Sequence, residues 1–127
     1  MSKTILIIDD DQDYTEAMKT LLESKGYRVQ SASEGKSGVE KAKSTSPDLI
    51  FLDVMMSKKT EGFDTSRELH NLEETSKIPI VMITGIRKEM NVPYTIEPDS
   101  DWLPVKAILE KPVKPELLFS TLDSIFI

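Results

Sequence analysis

Carboxylates follow two apolar runs in this 127-residue chain, and what they can do depends on whether the runs bring them together. Asp9, Asp10 and Asp11 come directly after Thr4-Ile5-Leu6-Ile7-Ile8, and Asp53 comes after Leu49-Ile50-Phe51-Leu52. Carboxylates crowded in a cleft repel one another. A hard divalent cation relieves that repulsion, because Mg²⁺ takes oxygen ligands while keeping several waters. A third run, residues 78–83, ends at Thr84-Gly85, and a fourth, Ala107-Ile108-Leu109, leads through Glu110 to Lys111-Pro112. If the four runs are neighbouring strands, an acid pair, an acid, a hydroxyl and an ammonium meet at one site.

The intervening sequence supplies the elements that would align them. Ile5 to Ile8 has the uninterrupted apolar character of a strand covered on both faces, as in a parallel sheet. Tyr14, Ala17, Met18, Leu21 and Leu22 then recur at helical spacing, with Asp11 or Asp13 as the cap and Gly26 as the stop. Residues 27–32 alternate weakly, as a strand near a sheet edge would, and residues 33–45 predict a short helix with Val39 and Ala42 inward. Pro47-Asp48 turns the chain into a strand over 49–53. Phe63, Ser66, Leu69 and Leu72 mark a third helix, with Thr60 or Glu61 near its start. Residues 78–84 and 107–110 predict two more strands, and residues 115–125 a closing helix with proline in its first turn. Strand and helix alternate throughout, which predicts an α/β fold: a doubly wound parallel sheet whose strand ends share one edge and one crevice.

Between Thr84 and the last strand, residues 86–105 carry Pro93, Pro98 and Pro104 around the acidic stretch Glu97-Pro98-Asp99-Ser100-Asp101. An interior proline costs a helix ~3 kcal/mol, so any fourth helix of the repeat is expected to be shortened or broken.

Composition narrows the function. The formal net charge of −6 speaks against nonspecific DNA binding, which needs a basic surface. With no cysteine, disulfides, thiolate catalysis and cysteine zinc sites are excluded. No apolar run approaches the ~20 residues of a membrane span, and no signal peptide is visible. These features lead to the expectation of one cytoplasmic domain over residues 1–127, with no membrane or nucleic-acid partner.

Asp9-Asp10, Asp53, Thr84-Gly85 and Lys111-Pro112, in that order at strand ends, resemble the receiver domains of two-component response regulators, chemotaxis regulators among them, over essentially the whole chain. The resemblance implies five parallel strands in the flavodoxin-like order 2-1-3-4-5. It implies that Asp53 accepts a phosphoryl group from a sensor histidine kinase, a phosphotransfer protein or a small acyl phosphate. Such a domain assists its own phosphorylation and dephosphorylation and is not an enzyme acting on a separate substrate. The resemblance further implies Mg²⁺ (or Mn²⁺) held by Asp10, Asp53 and the Met55 carbonyl, with Asp9 acting mostly through water. Lys111 and Thr84 would contact the phosphoryl oxygens, and the Lys111-Pro112 bond would be cis. The signal would leave by contact with a downstream protein, since no output domain is expected.

Some positions depart from the family pattern. Ser57 stands four residues after Asp53, where proline is usual, and Gly62 lies nine residues on instead of eight. Ile108 occupies the place, three before Lys111, where an aromatic switch residue often sits. The altered loops keep a phosphorylation-independent interaction module in view as the alternative. A phosphohydrolase with an aspartate nucleophile would need a second aspartate two positions later, where this chain has Met55. His70 is expected at the surface, and Trp102 as an anchor for the proline-rich segment.

Overall fold

A computed structural model describes residues 3–53, 61–84, 105–111 and 113–126. The elements run β1 (Thr4–Ile8), α1 (Gln12–Glu23), β2 (Arg28–Ala32), α2 (Gly35–Thr45), β3 (Leu49–Asp53), α3 (Glu61–Asn71), β4 (Ile80–Thr84), β5 (Ala107–Glu110) and α4 (Pro115–Ile125). All strand pairs are parallel, and the five-stranded sheet has the order β2-β1-β3-β4-β5.

The uninterrupted apolar runs have a direct cause: successive residues of each central strand enter opposite cores. Ile5, Ile7, Leu49, Phe51, Val81 and Ile83 pack with Met18 and Leu22 of α1 and with Leu118 and Leu122 of α4. Leu6, Ile8, Ile50, Leu52, Ile80 and Met82 pack with Val39 and Ala42 of α2 and with Leu69 of α3. Every residue of β3 is buried, Asp53 included. Helices thus cover both faces, and among the described residues each face carries its own apolar cluster. No helix among the described residues is long and apolar enough to cross a membrane.

Element boundaries differ from the expected ones for local reasons. The first helix buries Thr15, Met18 and Leu22, while Ala17 is exposed; one residue off the stripe is a 100° rotation away from the core. Gly26 does stop the chain, with φ at +91°, a conformation that carries no steric cost only in glycine. The Tyr27 N–H then returns to the Leu22 carbonyl at 3.3 Å, so the strand starts at Arg28 rather than at Tyr27. β4 starts at Ile80 because Pro79 has no N–H to give the ladder; its carbonyl still accepts from Ile50 N–H at 3.0 Å. The expected shortened helix within 86–105 lies outside the described residues, apart from the buried Val105 at its end.

Register fixes what stands at the sheet's C-terminal edge. Ile8 pairs with Leu52, so Asp9 emerges beside Asp53. Asp53 pairs with Ile83, and Thr84 with Glu110, so Lys111 leaves the sheet next in line.

Candidate phosphorylation and metal site

The edge gathers the sequence-distant acids as their spacing suggested. Oxygens of Asp9, Asp10 and Asp53 all lie within 4.8 Å of one another, a set of donors suited to one cation. Asp9 and Asp53 are each only 4% exposed, whereas Asp10 faces solvent. The Lys111 ammonium reaches in from the end of β5, with Nζ 3.0 Å from Asp9 Oδ2 and 3.6 Å from Asp53 Oδ2. Three carboxylates therefore meet one ammonium among the described residues, and the site keeps an excess of negative charge.

Asp9 is already engaged at both oxygens. Its Oδ1 accepts the Asp11 N–H at 2.9 Å, and its Oδ2 accepts from Lys111. Asp11 is itself the cap of α1: its backbone is extended, and its side chain accepts the Tyr14 N–H at 3.1 Å. The acidic run is thus divided by role, with Asp9 at the floor of the cleft, Asp10 at its mouth and Asp11 starting the helix.

All donors in the cluster are carboxylate oxygens, the ligand class that Mg²⁺ and Mn²⁺ take and softer metals do not require. The residues present fit a hard divalent cation. Thr84 ends β4 at the same edge, with only its backbone described. Met55 and Pro112, and with them the expected carbonyl ligand and cis bond, lie outside the described residues, as does Trp102. Ile108, at the position of the expected aromatic, pairs with Met82 and is half-buried against the α2/α3 core. His70 is exposed near the end of α3, as expected.

One member of the site escaped the sequence reading. The Tyr14 ring lies over Lys111 Nζ, with the centroid 4.4 Å away. Tyr14 had signalled only a helix's inner face; nothing in its spacing indicates a cation at the far end of the chain. Burial, followed by the charges of Asp9, Asp53 and Asp11, pushes its phenol up to about 12. For Lys111, burial acts to lower the ammonium's pKa, but the hydrogen bond it donates to Asp9 and the charges of Asp53, Asp9 and Asp11 outweigh it and hold the pKa above the usual lysine value.

Both shifts have the same sign for stability. In each case the folded chain keeps its proton to a higher pH than the unfolded chain, so the benefit is full below the unfolded value and fades as pH rises. For Tyr14 that window runs from the model-peptide value of 10.0 to about 12. Phenolate absorbance should show one of the three tyrosines ionising near the top of this window. Tyr14→Phe is expected to remove that late step and to lessen the alkaline loss of stability in denaturant titrations. Persistence of the late step in Tyr14→Phe would assign it to another tyrosine.

A model of the response regulator receiver domain matches residues 5–123. Protein PilH of Pseudomonas aeruginosa is 32% identical over 121 residues, which cover 95% of both proteins. The alkaline phosphatase synthesis transcriptional regulatory protein PhoP of Bacillus subtilis is 34% identical over 101 residues. That match takes in 80% of this chain but 41% of PhoP, so the chain spans less than half the length of that relative. Among solved structures, the receiver domain of the sensor histidine kinase PA1611 from Pseudomonas aeruginosa PAO1, with a magnesium ion coordinated in its active site cleft, superposes with a TM-score of 0.81. The superposition covers 100% of each chain at 22% identity and shows a shared fold. With this fold, this acidic edge and a family match over nearly its full length, the chain belongs to the response regulator receiver domains of two-component signalling.

Proposed function

We propose that Asp53 is a phosphoacceptor, taking its phosphoryl group from the phosphohistidine of a sensor histidine kinase or phosphotransfer protein, or from a small acyl phosphate. The observation that carries this reading is the setting of Asp53: a buried carboxylate at a strand end, 3.6 Å from an ammonium and within 4.8 Å of two further carboxylates.

A carboxylate is a weak nucleophile, so transfer depends on placement and on neutralising the phosphoryl oxygens. An Asp53 oxygen attacks phosphorus in line. The bond from phosphorus to the donor's imidazole nitrogen or acyl oxygen breaks, and its electron pair leaves with the donor. Lys111 meets the incoming negative charge as a compact point charge and stays protonated throughout. The Thr84 hydroxyl donates to a phosphoryl oxygen once the group is in place. Asp10 and Asp53, with the Met55 carbonyl, would hold Mg²⁺ (or Mn²⁺), and the cation would supply charge neutralisation for the transfer. Asp9, with both oxygens engaged, orients Lys111, and it would act on the cation through water. The phosphorylated domain signals by contact with a downstream protein.

The test is the intact mass of wild type and Asp53→Ala after incubation with Mg²⁺ and acetyl phosphate. One base-labile phosphoryl addition, absent in the variant, is the expected result. No addition in wild type at saturating donor and intact Mg²⁺ binding would move the assignment to a phosphorylation-independent interaction module.

A further inference from the structure

Lys111 carries an ammonium on a flexible four-carbon stem, and such a group reaches solvent as readily as a pocket. Here it is enclosed. Asp9 and Asp53 oxygens lie 3.0 Å and 3.6 Å from Nζ, and Nζ also stands over the Tyr14 ring, 4.4 Å from its centroid. The ring is itself fixed. Asp11 caps α1 by accepting the Tyr14 N–H, and the half-buried side chain packs against the core layer shared by α1 and α4. A cation over an aromatic face is attracted by the ring quadrupole, and the attraction strengthens as water is excluded. β5 brings no aromatic of its own to this edge: its residues are Ala107, Ile108, Leu109 and Glu110.

We propose that Tyr14 is a positioning residue for phosphoryl transfer, its ring face holding the Lys111 ammonium over Asp9 and Asp53 where a phosphoryl oxygen on Asp53 will meet it. This rests on the phosphoacceptor reading of Asp53. The phenol transfers no proton. In the reaction with acetyl phosphate an Asp53 oxygen–phosphorus bond forms, the acyl oxygen–phosphorus bond breaks and acetate leaves with the electron pair. Tyr14 acts only through the placement of Lys111, and it does so by its ring rather than its hydroxyl.

Those statements separate in a set of variants. Initial rates of Asp53 phosphorylation by acetyl phosphate in saturating Mg²⁺ would be measured for wild type, Tyr14→Phe, Tyr14→Leu, Lys111→Met and the Tyr14→Leu/Lys111→Met double variant. Tyr14→Phe keeps the ring and should stay within about twofold of wild type, while Tyr14→Leu keeps bulk without a ring and should be about fivefold slower. In the Lys111→Met background Tyr14→Leu should add no further slowing, the non-additivity of two groups acting as a unit. The Lys111 Hε protons should show an upfield ring-current shift in wild type and Tyr14→Phe that is lost in Tyr14→Leu.

Equal rates for Tyr14→Leu and wild type would overturn the inference while leaving Asp53 as phosphoacceptor. The same slowing in the Lys111→Met background would also overturn it, since Tyr14 would then act by general packing. Tyr14→Phe as slow as Tyr14→Leu would place the effect in the hydroxyl and overturn the ring's role. A wild type that takes up no phosphoryl group would remove the phosphoacceptor reading and this inference together.

Discussion

Lys111→Met is expected to slow phosphoryl uptake at Asp53 by about 10²–10³-fold, the range found when a preorganised donor to a developing anion is removed. Methionine keeps the length and apolar stem of lysine, so the change isolates the ammonium. That ammonium is the one cation among the described residues within salt-bridge distance of Asp9 and Asp53, and both carboxylates are nearly inaccessible to water. Its removal therefore does two things. The incoming phosphoryl oxygens lose a fixed positive charge, and two buried carboxylates lose the ammonium beside them in the resting domain. Stranding one side of a buried ion pair typically costs about 3–5 kcal/mol. In chelator the variant should be destabilised toward that range, and saturating Mg²⁺ should restore much of the loss because a bound cation would supply positive charge close to the same carboxylates. Rates from acetyl phosphate, together with denaturant midpoints in chelator and in Mg²⁺, read the two effects separately. An uptake rate within a few-fold of wild type would remove Lys111 from the chemistry and leave it a structural counter-ion.

The sheet was legible in the sequence because burial on two faces leaves a coarse mark. Ile5 to Ile8 and Leu49 to Leu52 carry no polar residue, and only a central strand of a covered sheet tolerates that. Once the strands are parallel, register carries the site: Asp9 beside Asp53, and Lys111 one step past the Thr84–Glu110 pair. Edges and ends were less legible. Arg28–Ala32 pairs on one side only, and its burial is partial, so its hydrophobic pattern is faint. Thr15 is buried on α1 where Ala17 had been expected, because composition does not say which of two small residues faces the sheet. Tyr14 was legible as a core-facing residue and illegible as a neighbour of Lys111. Helical spacing reports a face, and only the fold reports what that face meets. Asp9, Asp10 and Asp11 read alike in sequence. Burial, the Lys111 contact and the cap on Tyr14 give them three different roles.

Asp10→Asn is expected to invert its effect on stability when metal is added. In chelator, Asp10 is an exposed carboxylate whose oxygen lies within 4.8 Å of oxygens from two buried ones, and it takes no part in the Asp9–Lys111 pair. Neutralising it relieves repulsion at little cost to packing, a gain of about 1 kcal/mol for a charge screened as in bulk water. With metal the balance turns. Loss of a charged oxygen donor should weaken Mg²⁺ by at least the roughly 10–100-fold seen when a ligand's supporting partner is lost. A folded state that binds a ligand gains RT ln(1 + [L]/Kd), which is ~2.7 kcal/mol at a concentration one-hundredfold above the dissociation constant. At that concentration a variant binding one-hundredfold more weakly gains only ~0.4 kcal/mol by the same relation. Wild type should therefore be the less stable protein in chelator and the more stable by about 1–2 kcal/mol in Mg²⁺. Asp9→Asn should show no such inversion. Asp9 is buried, holds Lys111 and accepts the Asp11 N–H that leads into α1, so weakening it costs stability with or without metal. Denaturant midpoints for the two variants across a Mg²⁺ titration decide the matter. Parallel curves for wild type and Asp10→Asn would show that Asp10 is no ligand, and an inversion for Asp9→Asn instead would exchange the roles of the two acids.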